Sequence, residues 1–177
     1  MVFLEVEVKG VVIVDPNDLL HLNISLRKYM TIRLLSKIGR WKASTKHGYY
    51  VTPAILNFDH DSRGDWITRE VIFKVSYKCT TMKPCKGEIF IGTIDKVMRH
   101  GIFLKCGPIQ NIFLSEKKMK DYKFSIDEQP IFVNMNRESS MQKGTKVRFK
   151  VFDLKWIESE KEFHVLATIE AHFLGPI

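Results

Sequence analysis

Phe103 and Phe113 are the residues of this chain best suited to a chemistry of their own, and that chemistry is stacking. They sit in Gly101-Ile-Phe-Leu-Lys-Cys106 and Ile112-Phe-Leu-Ser115. Period-two alternation sends Ile102, Leu104, Ile112 and Leu114 to one face, and Phe103, Lys105, Asn111 and Phe113 to the other. Two rings on the outer face of adjacent strands make a platform for unpaired bases, each stack contributing about 1–3 kcal/mol. Lys86, Lys96, Arg99, His100 and Lys105 lie nearby in sequence and can hold a sugar–phosphate backbone by charge. Phe90 is a candidate third ring, with its register left open by Gly92. The same pattern also allows the phenylalanines to pack beneath residues 116–142 or against a partner chain.

Other chemistries find little support. No nucleophile elbow is present, and no glycine group matches a phosphate-cradling loop. Cys79 and Cys85 have five residues between them, Cys106 falls on a strand, and no close histidine pair completes a zinc site. Three cysteines cannot all pair within one chain, so structural thiols in a reducing compartment are expected. His60 stands between Asp59 and Asp61 in a turn-rich link without the fixed spacing of a metal or acid–base site. No catalytic residue, cofactor or metal is therefore expected. Lys117-Lys-Met-Lys120 reads as a solvated loop, and the acidic run Glu158-Ser-Glu-Lys-Glu162 repels RNA. Trp41, Trp66 and Trp156 read as core or interface aromatics.

The elements that position these residues follow from composition and periodicity. The 177 residues are 45% hydrophobic and 27% charged, with a formal net charge of +8. Basic residues outnumber acidic ones 13 to 8 in residues 1–84 and 15 to 12 in 85–177, so no basic tail carries the excess. This balance permits a polyanionic partner. No apolar run approaches the length of a membrane span, and the first residues lack the basic region of a secretory signal, so a soluble protein without membrane contact is expected.

In the first half, Val2, Leu4, Val6 and Val8 share one strand face. Asp15-Pro-Asn-Asp18 breaks the chain. Leu22, Leu26, Met30 and Leu34, extended by Leu19 and Ile38, predict an amphipathic helix of about five turns packed on a sheet. His47–Leu56 reads as a strand with Pro53 at an edge or bulge, and Trp66–Val75 as another, with Ile67, Val71, Phe73 and Val75 inward. These make a small α+β unit over residues 1–83. Lys83-Pro-Cys-Lys-Gly87 marks a boundary. Beyond it, strands near 86–98, 101–106, 109–114, 145–155 and 162–170 suggest a five-stranded oligonucleotide-binding barrel over 84–177, with an insertion near 116–142. A curved sheet with no helix-turn-helix favours splayed single-stranded RNA over duplex DNA.

His47-Gly-Tyr-Tyr-Val-Thr-Pro53, Lys83-Pro-Cys-Lys-Gly-Glu88, Gly101-Ile-Phe-Leu-Lys-Cys-Gly-Pro108 and Phe173-Leu-Gly-Pro-Ile177 together resemble the seventh subunit of eukaryotic nuclear RNA polymerases, which shares its plan with the archaeal stalk subunit. Val97-Met-Arg-His100, Pro130-Ile-Phe-Val-Asn134 and Trp156-Ile-Glu-Ser-Glu-Lys-Glu-Phe163 look closest to the plant paralogues serving RNA polymerases IV and V. The resemblance covers essentially the whole chain. It implies a tip domain followed by an S1-type barrel in a nuclear, non-catalytic stalk subunit. The implied partners are the fourth polymerase subunit, as a heterodimer, the polymerase core including the largest subunit, and nascent single-stranded RNA. The implied process is RNA-directed DNA methylation and gene silencing. Family position makes His47, Gly48, Tyr49 and Tyr50 candidates for docking to the core. S1-type barrels commonly end their third strand in Gly-Leu-Val-His-Ile-Ser, so Phe113 stands here in the histidine's place and keeps stacking without the imidazole's hydrogen bond. A free-standing S1-type RNA-binding protein and a protein-only scaffold are the alternatives.

Overall fold

Strict alternation builds the sheet of the N-terminal unit. In the computed structural model, the described residues are 3–15, 17–18, 24–38, 43–58, 63–64, 71–126, 129–136 and 139–177, with backbone alone for 53–58 and 63–64. The chain divides into two units, Phe3–Lys83 and Pro84–Ile177. In the first, β1 (Phe3–Val14) runs antiparallel to β5 (Val71–Met82) in unbroken register from Phe3 opposite Met82 to Val14 opposite Val71. On the far side of β5 lies β3 (Gly48–Phe58), flanked by the short β2 (Ala43–Ser44), while β4 (Arg63–Gly64) pairs the start of β5. A bulge between Tyr50 and Thr52 precedes Pro53, which lies opposite Cys79 of β5 and beyond the reach of β2.

The helix α1 (Leu26–Ile38) is shorter than its apolar stripe predicts. Ser25 sets the start: its carbonyl accepts the first helical bond from the Tyr29 N–H at 3.0 Å, and its Oγ accepts from the Lys28 N–H at 3.4 Å. Leu19 and Leu22 lie outside the described residues, as do Trp41, Trp66, Ile67 and the Asp59–Asp61 loop. Tyr29, Met30, Leu34 and Ile38 pack on Val12, Val14, Phe73, Val75, Tyr77 and Cys79. The strand expected to end at Val75 continues to Met82 because Tyr77 and Cys79 carry its inward face onward.

Tyr77 is 1% exposed, and Gly10 leaves its ring room: a Cβ at Gly10 would sit 3.3 Å from it. Burial pushes the phenol from its ordinary value of 10.0 up to about 12, with Cys79 and Tyr50 adding to the effect. The folded chain therefore holds this proton more tightly than the unfolded chain. Its contribution to stability is complete below pH 10 and is lost as pH rises through about 12. Alkaline unfolding curves are expected to show this slope, and Tyr77→Phe is expected to flatten it. Equal slopes in both proteins would reject the assignment.

The second unit has oligonucleotide-binding topology. Its strands β6 (Ile89–Met98), β7 (Gly101–Cys106) and β8 (Ile109–Ser115) form an antiparallel meander. After an excursion, β12 (Lys146–Ile157) pairs β6 on one side and β13 (Glu162–Thr168) on the other, and β13 closes the barrel by running parallel to β8. Ile94, Ile102, Leu104, Ile112, Leu114, Val147, Phe149 and Val165 fill the interior at 1% exposure or less. The fold is thus α+β, a helix on a small antiparallel sheet followed by a five-stranded barrel.

The 116–142 segment folds locally. Ser115 Oγ accepts from the Lys117 N–H and starts a 3₁₀ turn over Glu116–Lys118. β9 (Tyr122–Ile126), β10 (Pro130–Asn134) and β11 (Ser140–Met141) then make a three-stranded sheet. Phe124 meets the buried Phe132 edge-on at 5.5 Å, and Met119 and Met141 are also buried. A two-residue strand, β14 (Gly175–Pro176), lies against Val147 and Arg148 of β12.

Candidate nucleic-acid interface

The hairpin of β7 and β8 brings the aromatic pair together. Phe103 lies directly opposite Phe113, with ring centroids 5.0 Å apart and planes tilted by 45°. Both rings are half-buried, in contrast to their inward neighbours Ile102, Leu104, Ile112 and Leu114, which are fully buried. His100, in the turn between β6 and β7, sits 6.0 Å from the Phe113 ring. On the other side Lys96 is the cross-strand neighbour of Phe103. The row therefore reads imidazole, two benzyl rings and an ammonium across three strands. An imidazole, two rings and a cation can together grip stacked bases and an adjoining phosphate.

Gly101 makes this row possible. A Cβ there would stand 2.5 Å from the Leu114 carbonyl oxygen and 2.7 Å from the Phe113 ring, and the backbone has φ +155°. Phe113 thus lies over a backbone position that only a hydrogen can occupy.

Phe90, the candidate third ring, turns inward. It is 3% exposed and packs on Phe149 at 6.1 Å, because Phe90, Gly92 and Ile94 form the inner face of β6. The basic candidates divide into two groups. Lys105 pairs with Asp95 at 3.0 Å, and Lys86 with Asp153 at 2.7 Å. The Lys86 ammonium, and then the Leu154 N–H, hold the Asp153 carboxyl below the usual carboxylate range. These exposed pairs are weak enough for a phosphate to compete with the carboxylate. Lys96 and Arg99 are exposed and enter no ion pair among the described residues.

The residues beside β13 are of opposite character. Asn111 Nδ2 donates to Glu162 Oε1, and His164 Nε2 is hydrogen-bonded to Glu160 at 2.8 Å. Glu160, Glu162 and His164 bring ligand atoms within 4.8 Å of one another, on alternate positions entering one strand face. Among the described residues these are the ones best able to hold a metal ion, and the His164–Glu160 hydrogen bond and the Asn111–Glu162 bond already contribute to their closeness. Cysteine spacing gave no sign of this cluster. Trp156 meets Phe163 edge-on at 4.9 Å and donates from Nε1 to Glu158, so the acidic hairpin is internally braced.

Sequence reasoning did not single out Ile89, Ile91, Thr93, Lys146, Arg148 and Lys150, which continue the outer wall over β6 and β12. The available signal was the alternation Lys146-x-Arg148-x-Lys150 against Val147, Phe149 and Val151. A cavity of about 770 Å³ lies between Lys118–Tyr122, Asn134, Asn136 and Ile169–Leu174 and contains none of the candidate residues. Lys118 and Lys120 both pair with Glu170 there, at 3.2 and 3.3 Å, and pull its carboxyl below the usual range.

In the N-terminal unit, His47 donates its N–H to Ser44 Oγ at 3.0 Å in the turn before β3. Gly48 has φ +79°, and a Cβ there would lie 2.4 Å from the Met82 carbonyl oxygen. Tyr49 is 3% exposed, while Tyr50 is half-buried with its hydroxyl donating to Ser44 Oγ at 3.4 Å. His47 and Tyr50 are therefore reachable, while Gly48, expected with them at a docking surface, is buried against Met82 and Lys83, and the Tyr49 ring is enclosed as well.

Residues 88–172 match the family model described as RNA polymerase III subunit Rpc25. The chain is 38% identical to DNA-directed RNA polymerase V subunit 7 of Arabidopsis thaliana, over 99% of this chain and 98% of that protein. It is 37% identical to RNA polymerase IV subunit 7 of the same plant, over 98% and 99% respectively. Identity to the RNA polymerase II subunit RPB7 of Glycine max is 28%, over 86% of this chain and 85% of that one.

Proposed function

Because this chain belongs to the subunit 7 family of DNA-directed RNA polymerases, we propose that it is a non-catalytic stalk subunit that pairs with the fourth subunit and guides nascent single-stranded RNA. The observation that carries the RNA part is the Phe103–Phe113 pair, half-exposed on a barrel of oligonucleotide-binding topology beside Lys96, Arg99 and His100. In this reading residues 84–177 contact the transcript. Residues 1–83 form the tip that docks on the core, with His47 and Tyr50 at the contact and the buried Gly48 and Tyr49 supporting them from within.

The similar identity to the polymerase V and polymerase IV subunits, 38% and 37%, supports service in either specialised enzyme or in both. The site of action is then the nucleus, and the process is transcription for RNA-directed DNA methylation. The test is purification of the tagged full-length chain from a competent nuclear extract, followed by mass spectrometry of the intact complex. Recovery of the fourth subunit with a polymerase IV or V largest subunit is expected. Absence of both would reject the stalk assignment.

A further inference from the structure

A strand of RNA leaving the aromatic pair has two directions open to it along the barrel wall. Toward β13 it meets Leu166 beside Phe113 and then the Glu160–Glu162–His164 cluster with the acidic turn behind it. That route repels phosphates. Toward β6 it meets Lys96 opposite Phe103, and then a second row in which Lys105, Thr93 and Lys146 lie opposite one another across β7, β6 and β12. From Lys146 the basic side chains continue along β12 to Arg148, opposite Ile91, and Lys150, opposite Ile89.

Three features distinguish this second route from an ordinary solvated face. Lys146 and Lys150 are exposed and enter no ion pair among the described residues, whereas Lys86, Lys105, Lys118 and Lys120 each have a carboxylate partner. Arg148 spends one donor, Nη1, on the Phe173 carbonyl oxygen at 3.4 Å. Ile89 and Ile91 are 55% and 51% exposed directly beside these cations, a pairing of apolar surface with charge that suits the base and phosphate of one nucleotide. Alternate residues of a strand recur about every 6.8 Å, the scale of successive phosphates in a stretched single strand.

We propose that the RNA track continues past Phe103 around the barrel wall, with Lys146, Arg148 and Lys150 of β12 holding successive phosphates. This rests on the reading of the barrel as an RNA-contacting module. Its ligand is the sugar–phosphate backbone of a single strand, read by charge and independent of sequence.

The test is anisotropy with a labelled oligouridylate of about 12 nucleotides, within the span of one such barrel, bound to the full-length chain over a series of salt concentrations. Each phosphate neutralised on a single strand contributes about 0.7 to the slope of log affinity against log salt. Lys146→Ala with Lys150→Ala is expected to lower that slope by about 1.4. The matching glutamine pair, which keeps the length of polar side chain without its charge, is expected to do the same. Both lysines are exposed, so the fold is retained; Arg148 is left in place because of its bond to the C-terminal segment. An unchanged slope, with affinity still lost on truncating Phe103 and Phe113, would overturn the extended track while leaving the RNA-contacting barrel. It would also be the outcome if this row serves an acidic protein instead. If the aromatic truncation has no effect either, the underlying RNA reading fails and takes the track with it.

Discussion

Truncating Phe103 and Phe113 together to alanine is expected to weaken binding of single-stranded RNA by roughly 30- to 1,000-fold, about 2–4 kcal/mol. Each stack on a base contributes about 1–3 kcal/mol. The two rings touch, with centroids 5.0 Å apart, so the two losses are not independent and the double change falls short of the largest sum. Either single change leaves the other ring half-exposed and should retain part of the affinity. The salt dependence should stay close to that of the unmodified chain, because no charge is removed. Fluorescence anisotropy on the folded variants, verified by circular dichroism, gives the result. Affinity equal to that of the unmodified protein would remove the stacking platform from the account.

Gly101→Ala is expected to destabilise the barrel by about 2–6 kcal/mol. Strained backbone contributes about 1–3 kcal/mol, and overpacking against a carbonyl oxygen at 2.5 Å and a ring at 2.7 Å contributes about as much again. Gly107→Ala is the natural control. Gly107 has φ +54° and no atom within 4 Å of an added Cβ, so its cost is limited to about 1–2 kcal/mol of left-handed backbone. Urea melts of the two variants should separate clearly. Coincident melts would mean that Phe113 does not lie over Gly101. A surviving folded fraction of Gly101→Ala should also bind RNA poorly, since the added methyl displaces the ring it meets.

The barrel strands are legible because apolar residues alternate cleanly and glycines mark their turns: the pattern ends the 101–106 strand where β7 ends, and its 109–114 strand stops one residue short of the end of β8. The aromatic pair was legible for the same reason, since alternation alone assigns Phe103 and Phe113 outward. Phe90 was not, because a glycine two positions on hides which face continues, and the answer depends on Phe149 from a strand far along the chain. The electrostatic partners were hidden by the same kind of distance. Nothing near Lys86 announces that Asp153 will neutralise it. In the N-terminal unit the apolar stripe overstated α1, because a stripe records which side faces the sheet and not where Ser25 interrupts the backbone.

The parallel seam between β8 and β13 has a consequence for biosynthesis. Phe113 meets Leu166, and Gly92 meets Val147, so both edges of the meander wait for segments made more than 50 residues later. Until those segments leave the ribosome, Ile102, Leu104, Ile112 and Leu114 lack the inner wall that covers them. A nascent chain paused within the 116–142 sheet would therefore carry an open, adhesive trough, the kind of species that chaperones shield.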